Sequence, residues 1–357
     1  MTDTSPHLVA PRPKDVFRMA PGQREHWVAL RALLSVGAPL LVLWSIDRVD
    51  LAPFVVFPAF AAVFGRRHGH RHRVRLQAIV AATQVASLLL GALVPVLEAG
   101  PWATVAGASV LAFGMSLLGD RVRWTPVGPM FQVFGFVTLA AAPVTVESLG
   151  WGAVAAAGTA AWVLVLALVW ALVRRAARAR GAVDPLRAPA APRPDASRMW
   201  GDAVTYTVAV AIAGTVPTLL GIGHVGWAMV AAIAGLAAPT VFHRVLRATQ
   251  RLFGTLVGLG VAALMVLLQP TGVWTMLLVI LLTGLIELVV TRNYSLALIP
   301  ITPLVVLMGQ LMNPSAPPWP MITDRLIETV IGIAVAVIVA LTVDAIRRAR
   351  TRRVEAG

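Results

Sequence analysis

A carboxylate inside an apolar stretch is the residue of this chain that could most directly do chemistry. Glu287 lies within the apolar run 272–290, close to its end, and Arg292 follows shortly after. A charged side chain in a membrane helix costs roughly 2.5–3.5 kcal/mol on insertion scales, so we expect Glu287 to face the interior of a helix bundle. There it could relay a proton or pair with Arg292. The alternative is an interfacial or structurally paired glutamate.

Two arginines could attract an anion. Arg31 lies a short way inside the apolar run 27–46, and Arg251 directly precedes another run, 252–268. A ring of arginines at the mouth of a membrane path would concentrate carboxylates electrostatically. The simpler interpretation is that both residues flank membrane helices on the cytoplasmic side, where basic residues are enriched.

Small residues and prolines could shape a path through the membrane. Gly254 and Gly258, with Thr255 between them, place small residues four positions apart on one helix face. This spacing permits close helix packing and could instead expose backbone to a substrate. Pro58 and Pro239 lie in the second apolar run of each half of the chain. Broken helices at corresponding places are a sequence signal for a transport site.

Other chemistries find little support. The chain has no cysteine, and Lys14 is its only lysine, so thiolate nucleophiles, iron–sulfur ligands and a P-loop are excluded. His68, His70 and His72 have arginines beside them and no acidic ligand nearby, which argues against a metal site. No acid–base or nucleophile–base pair has a recognisable spacing. We therefore predict no cofactor, no metal and no enzymatic activity.

The composition is that of an integral membrane protein. Hydrophobic residues make up 58% of the 357 residues and charged residues 13%, whereas about one-quarter of a soluble domain is charged. The formal net charge of +14 would suggest nucleic-acid binding in a soluble protein. Here the arginines lie in short loops beside apolar runs, where they meet anionic lipids. We therefore predict anionic membrane lipids as partners, and no nucleic acid.

Twelve apolar runs organise the chain, most of them near the length of about 20 residues that a bilayer requires. The expected fold is an all-α membrane protein of about twelve transmembrane helices. The runs lie at 27–46, 51–65, 77–97, 101–119, 127–143, 150–173, 200–221, 225–241, 252–268, 272–290, 295–312 and 324–345.

The basic residues alternate with these runs. If all twelve cross the membrane, 27 of the 30 basic residues fall on one side, and the exceptions are Arg31, Arg48 and Arg325. This positive-inside bias predicts a protein of the cell membrane with both termini in the cytoplasm. Arg325 and Glu328, three positions apart at the outer start of the last run, are explained by a local ion pair.

The pattern runs twice along the chain. Arg121 and Arg292 each follow the fourth apolar run of a half. Arg174 and Arg347 each follow the sixth run of a half. Six runs per half give both halves the same orientation, as in parallel repeats related by an axis along the membrane normal. The expected domains are a disordered cytoplasmic tail (1–26), a first repeat (27–173), a cytoplasmic linker rich in Ala, Arg and Pro (174–199), a second repeat (200–346) and a basic cytoplasmic tail (347–357).

The second half carries the motifs of a known family. These motifs are Trp227-Ala228, Arg251-x-x-Gly254-Thr255-x-x-Gly258, Arg292-Asn293-Tyr294 and Arg325-x-x-x-Thr329-x-x-Gly332. With them, the chain over roughly Trp200–Asp344 resembles the fusaric acid resistance-like (FUSC) family, which is related to the aromatic acid exporters. In the first half, Arg75-Leu76-Gln77-Ala78 stands where the Gly-Thr motif would be, and the Gly-Thr pair is missing.

The resemblance implies a secondary transporter that exports organic anions such as aromatic carboxylates, with the proton gradient as the driver if transport is active. Plant aluminium-activated malate channels are similar at the level of six-helix units and work as dimers, which implies a path between the halves. An organic-anion channel, a membrane enzyme acting on lipid-linked substrates and a non-transporting scaffold are the alternatives, and a homo-oligomer is a further expectation. Residue patterns and resemblance together predict a substrate path through Arg31, Pro58, Trp227, Pro239, Arg251, Gly254, Thr255, Glu287, Arg292, Asn293 and Tyr294.

Overall fold

The computed structural model describes residues 11–21, 25–65, 68–180, 195–223 and 225–356, and these residues form helices without a strand. The short turns Val49–Leu51 and Phe60–Val63 are 3-10 helices. The α-helices are α1 (Pro13–Val16), α2 (Glu25–Ser45), α3 (Ala52–Ala59), α4 (His70–Val96), α5 (Gly100–Val122), α6 (Met130–Ala140), α7 (Val146–Ala179), α8 (Ala196–Leu219), α9 (Gly226–Leu236), α10 (Val241–Leu267), α11 (Val273–Val289), α12 (Tyr294–Met312) and α13 (Pro318–Ala356).

Eight of the helices in the described ranges are long and apolar enough to cross a membrane, namely α2, α4, α5, α7, α8, α10, α12 and α13. The chain is therefore a multi-pass membrane protein, as predicted. Each of the twelve predicted runs contains a helix. However, α3, α6, α9 and α11 are shorter than the about 20 residues that a bilayer core requires. The prediction of twelve spans in two repeats is not confirmed by helix length.

The first short helix ends at a change of helix type. α3 contains Pro58 and continues directly as the 3-10 turn Phe60–Val63. Nε2 of Gln77 then donates hydrogen bonds to the carbonyl oxygens of Ala62 and Phe64, both over 3.1 Å. Backbone groups released inside a membrane bundle need such partners, because no water is present to replace the helical bonds.

The corresponding helix of the second half, α9, also stops inside the bundle, at Leu236. Nε of Arg247 donates to the carbonyl oxygen of Ala234 over 3.1 Å, and Nε of Arg244 donates to that of Ala238 over 3.0 Å. The last carbonyls of a helix lack partners within the helix and carry partial negative charge. An arginine there therefore supplies both a hydrogen bond and a compensating positive charge.

Close packing between helices depends on glycine. A Cβ on Gly254 would collide with the carbonyl oxygen of Ser295 in α12, and one on Gly332 would collide with the carbonyl oxygen of Ala228 in α9. The α10–α12 and α9–α13 pairs therefore approach backbone to backbone, as small residues in membrane helices allow. Between the two halves of the chain, α2 packs against α11 and α5 packs against α8.

The two ends of the bundle hold different charges. At one, called the basic end below, Nη2 of Arg347 and Nε of Arg198 lie 3.3 and 3.7 Å from the carboxylate oxygens of Asp202. At the opposite end, Nη1 of Arg48 lies 3.8 Å from Oε1 of Glu147. Arg48, an exception to the alternation of basic residues, thus lies beside an acid.

Residues 11–21 dock on the basic end beside the start of α12. Nδ2 of Asn293 donates to the carbonyl oxygens of Val16 and Arg18 over 2.8 and 3.2 Å. Nε2 of Gln250 also donates to the carbonyl oxygen of Val16, over 3.2 Å. Two amide side chains of the second half therefore hold the backbone of this segment in place.

Further contacts extend this docking. The ring of Phe17 meets that of Phe253 edge-on, with 4.9 Å between centroids, and the backbone N–H of Ala20 donates to the carbonyl oxygen of Arg292 over 2.8 Å. The prediction of a disordered tail over 1–26 is therefore wrong for this stretch. Its backbone polar groups find fixed partners and its aromatic side chain finds a packing surface, neither of which its polar composition indicates.

Helix also extends into the expected linker. α7 runs to Ala179, beyond the predicted run 150–173, and α8 begins at Ala196. Both ends of the expected linker, 174–199, are therefore helical. Residues 181–194, the middle of that linker, lie outside the described residues.

Gly254→Ala is expected to destabilise the protein, because its methyl group would meet the Ser295 carbonyl. Overpacking of this kind costs roughly 1–3 kcal/mol, which should lower the thermal unfolding midpoint in detergent. Gly260→Ala, in the same helix, is the matched control, since open space surrounds a Cβ there. Equal midpoints for the two variants would contradict the close approach of α10 and α12.

Asn293→Ala is expected to release the backbone of residues 11–21, so that trypsin can cleave after the exposed Lys14 and Arg18. Losing hydrogen bonds of about 1–2 kcal/mol in total should raise the initial cleavage rate roughly fivefold to thirtyfold, because cleavage follows the population of the open form. Digestion of the detergent-solubilised protein measures this rate. Asn313→Ala, at the far end of α12, should leave it unchanged, and equal rates in both variants would show that Asn293 does not anchor the segment.

Candidate functional site

Arg325 is a cation buried inside the helix bundle. It is 2% exposed, and its guanidinium carbon lies 4.1 Å from the centroid of the Trp227 ring. Its Nε and Nη1 atoms find no hydrogen-bond partner among the described residues. A desolvated cation–π contact contributes about 2 kcal/mol, less than the several kcal/mol that an ion loses on burial. The site therefore retains positive charge and hydrogen-bond donors that the described protein groups do not satisfy.

Trp227 also lines a cavity of about 160 Å³ between the two halves of the chain. The first half contributes the wall from α3 and α6, and the second half contributes α9, α12, the loop after α12 and Met321 of α13. The indole of Trp227 meets the ring of Phe134 at 5.4 Å between centroids with an interplanar angle of 66°. The aromatic and polar side chains of the lining belong to Phe57, Phe60, Phe134, Thr138, Trp227 and Asn313.

The cavity lies towards the end of the bundle opposite the basic end. Pro143, which follows α6, and Asn313 and Ala316, which follow α12, are part of its lining. Asn313 is exposed. Oγ1 of Thr138 is buried in the wall and has no hydrogen-bond partner in the described part of the chain. The cavity therefore combines an apolar, aromatic wall with one available hydroxyl group.

A second buried arginine lies near Arg325. Arg251 is 4% exposed, and its Nη1 donates to the hydroxyl oxygen of Tyr294 over 2.9 Å. The guanidinium carbon of Arg247 lies 4.3 Å from the centroid of the same tyrosine ring. Arg251 is close enough to Arg325 for the two charges to repel each other. Cations from α10 and α13 thus lie near each other on the side of Trp227 that faces away from the cavity. The tyrosine hydroxyl is a polar group beside them.

Glu328 is the acid beside these arginines. It is fully buried, and its Oε2 accepts a hydrogen bond from the backbone N–H of Trp227 over 2.9 Å, while its Oε1 has no partner in the described ranges. The predicted local ion pair between Arg325 and Glu328 does not form: Nε and Nη1 of Arg325 and Oε1 of Glu328 have no hydrogen-bond partner in the described structure, and the two side chains interact only through the field of their charges. Trp227 accounts for this, since its ring takes the guanidinium and its amide takes the carboxylate.

The other charged and polar residues of the predicted path lie elsewhere. Glu287 is buried, 7% exposed, in the helix that packs on α2. The guanidinium carbon of Arg31 lies 5.9 Å from the centroid of Trp170 in α7. Arg292 and Asn293 contact the N-terminal segment. Of the predicted path residues, the structure brings together Trp227, Arg251 and Tyr294.

The backbone-shaping residues divide in the same way. Pro58 is buried in α3, next to a phenylalanine that lines the cavity. Pro239 lies in the break between α9 and α10. Gly254 packs on α12, and Thr255 is 1% exposed. Gly254 therefore has the helix-packing contact that its spacing indicates.

The histidine run lies apart from this site. The ring centroids of His68 and His72 are 4.6 Å apart. Partial burial lowers the pKa of His68, and the nearby positive charges of His72 and Arg123 lower it further by smaller amounts. The described residues contain no group of three or more side chains placed to hold a metal.

Two residues of the site were not predicted from sequence. Arg325 and Glu328 were assigned to each other because side chains three positions apart on a helix usually meet. The available signal was that Arg325 breaks the alternation of basic residues and stands inside a family motif. A basic residue that topology does not explain needs another explanation, and burial against an aromatic ring supplies it.

Residues 209–339 match the family model described as fusaric acid resistance protein-like. The match confirms the resemblance that the motifs of the second half indicate. It covers the buried residues around Arg325, namely Trp227, Arg251, Tyr294, Arg325 and Glu328. No curated protein and no solved structure matches the chain.

Proposed function

We propose that this protein is a secondary transporter that moves aromatic carboxylates or related organic anions across the cell membrane, along a path between its two halves. The family match and the multiple apolar helices support a membrane transporter. The observation that carries the substrate class is the buried, incompletely paired guanidinium of Arg325 behind an aromatic-lined cavity. A carboxylate is the natural partner of a guanidinium in such surroundings, because two parallel N–H bonds can meet its two oxygens.

The cavity supports a substrate with a single ring. Apolar cavities of about 150 Å³ hold one benzene molecule, and this cavity has a volume of about 160 Å³. Ring–ring contacts with Phe57, Phe60 and Phe134 would favour an aromatic over an aliphatic body of the same size. Thr138 would offer a hydrogen bond to a ring substituent.

Trp227 would act as the gate between the cavity and the cation. Its indole lines the cavity and covers Arg325 at the same time. An anion in the cavity would reach the guanidinium once the indole turned aside. The positive-inside bias would place the basic end in the cytoplasm, so the cavity would face the outside. Export would then load the anion from the side of Arg251 and release it past Trp227.

Corresponding helix contacts support an architecture of two six-helix repeats. The α2–α11 and α5–α8 contacts exchange places when the two halves are interchanged, and so do the contacts within each half between α4 and α6 and between α10 and α12. Under this correspondence, α3 and α9 are the two short second helices, and both line the cavity.

The two halves would differ at the site itself. A Cβ on Gly152 in α7 would collide with the ring of Phe54. Arg325 and Trp227 follow this glycine and this phenylalanine by the same interval of 173 residues. The first half would therefore place an uncharged contact where the second half places a cation over an aromatic ring, which gives one anion site per chain.

Arg325→Gln is expected to reduce the uptake of a labelled aromatic carboxylate into proteoliposomes. Losing a charge-assisted hydrogen bond of about 1.5–3 kcal/mol corresponds to roughly a tenfold to 150-fold loss of affinity. Arg325→Lys should retain part of the activity, since it keeps the charge but not the planar pair of donors. Arg48→Gln is the control, because Arg48 lies outside the cavity lining and pairs with Asp50 and Glu147.

The outcomes separate the alternatives. A folded wild-type protein that moves no carboxylate under any pH gradient or membrane potential would overturn the transport proposal and leave a scaffold or an enzyme. Equal flux in Arg325→Gln and Arg48→Gln would remove Arg325 from the path. Single-channel currents carried by the same carboxylate would assign the protein as an organic-anion channel.

A further inference from the structure

Glu328 sits where its charge and a bound anion would oppose each other. Its carboxylate is fully buried and held by the backbone amides of Trp227 and Ala228, the first of which donates to Oε2, while Oε1 has no hydrogen-bond partner in the described structure. Each oxygen of a buried, ionised carboxylate usually accepts a hydrogen bond, because its lone pairs otherwise lose their hydration. One oxygen of Glu328 is therefore free to carry a proton.

The groups that face Glu328 directly come from α13 and α9. On its own helix, α13, these are Asp324 and Arg325. From α9 it meets the backbone amides of Trp227 and Ala228, and α9 contains no titratable side chain. Arg251 from α10 and Tyr294 from α12 face Arg325. α8 packs on α13 as well, but its charged residues Arg198 and Asp202 pair with each other at the basic end.

The electrostatic balance of this cluster depends on its occupancy. With no anion present, an ionised Glu328 partly offsets the charges of Arg325 and Arg251. An anion bound at Arg325 would lie within a few ångströms of the Glu328 carboxylate, in a medium where like charges repel far more strongly than in water. Protonation of Oε1 removes that repulsion and keeps the hydrogen bond that Oε2 accepts from Trp227.

We propose that Glu328 is the proton-binding residue of the transport site and that it takes up one proton from water when an anion binds at Arg325. The inference rests on the proposed function, because it needs an anion at that site. In the binding step, a proton joins Oε1 of Glu328, and the charge of the bound anion replaces the charge of the carboxylate. Glu287, the proton-relay candidate of the sequence, lies in a different helix and is not needed for this step.

The test is anion binding by the purified, detergent-solubilised full chain as a function of pH. The first probe is benzoate between about pH 5.5 and 8.5, a range in which the ligand stays ionised. Above the pH at which free Glu328 loses its proton, the affinity of the wild type should fall by about tenfold per pH unit, as one linked proton requires. A pH-indicator dye in weakly buffered solution should report up to one proton taken up per anion bound.

Glu328→Gln is the decisive variant, because the amide keeps an acceptor for the Trp227 N–H and mimics the protonated acid. It should bind benzoate with an affinity that is constant over this range and with no proton uptake. Glu147→Gln, which alters an exposed carboxylate outside the cavity lining, should behave as the wild type. Benzenesulfonate, a stronger acid, should give the same pattern and so exclude protonation of the ligand.

The results distinguish the two proposals. Wild-type binding without proton uptake, or proton uptake that persists in Glu328→Gln, would overturn the role of Glu328 while leaving anion transport intact. Absence of any anion binding by the folded wild type across the whole pH range would overturn the proposed function instead. If Glu328→Gln fails to fold, Arg325→Gln provides a second test. It should lose both benzoate binding and proton uptake. Proton-linked binding that persists in Arg325→Gln would contradict the proposal.

Discussion

Burying a guanidinium among apolar helices is the constraint on which the middle of this protein depends. An ion taken from water into a protein interior loses several kcal/mol of hydration, which neighbouring groups must offset. Arg325 has the face of Trp227 on one side and the field of Glu328 nearby, but two of its nitrogen atoms lack partners in the described structure. Arg251 adds repulsion to this balance. A purely structural cation would gain from full pairing, so the proposal of anion binding rests on this incomplete pairing.

Helices that stop inside the bundle make this site possible. A helix that crosses the whole membrane keeps its backbone groups bonded to each other, and only side chains remain to contact a substrate. α9 begins at Gly226, so the N–H groups of its first turn are free of helical partners and one of them binds Glu328. α3 ends near Phe60 and leaves its aromatic side chains at the cavity. Short helices therefore place helix termini and a cavity inside the bundle. Helices that cross the whole membrane would provide neither there.

The sequence predicted the membrane class, the positions of the apolar helices and the family, because hydropathy and motifs depend on residues that are close along the chain. The run 51–65, which contains α3, was already short in the sequence. The sequence did not predict that α6, α9 and α11 would end before their runs, since apolar residues such as the buried Ala142 continue past the helix ends. It also failed for Arg325, because a local rule offered Glu328 as its partner, while the true neighbour, Trp227, lies about a hundred residues away. The docking of residues 11–21 was missed for the same reason: Asn293 and Gln250 are distant in sequence.

The pairing of Gly152 with Phe54 in one half and of Arg325 with Trp227 in the other has an evolutionary consequence. When two identical subunits surround a path, every substitution appears twice, and a new charge on one wall is always opposed by the same charge on the other. In the proposed two-repeat architecture, one polypeptide holds both units, and this symmetry is absent. Selection can then retune the aromatic wall for the shape of a new compound without disturbing the cation, or adjust the cation without altering the wall.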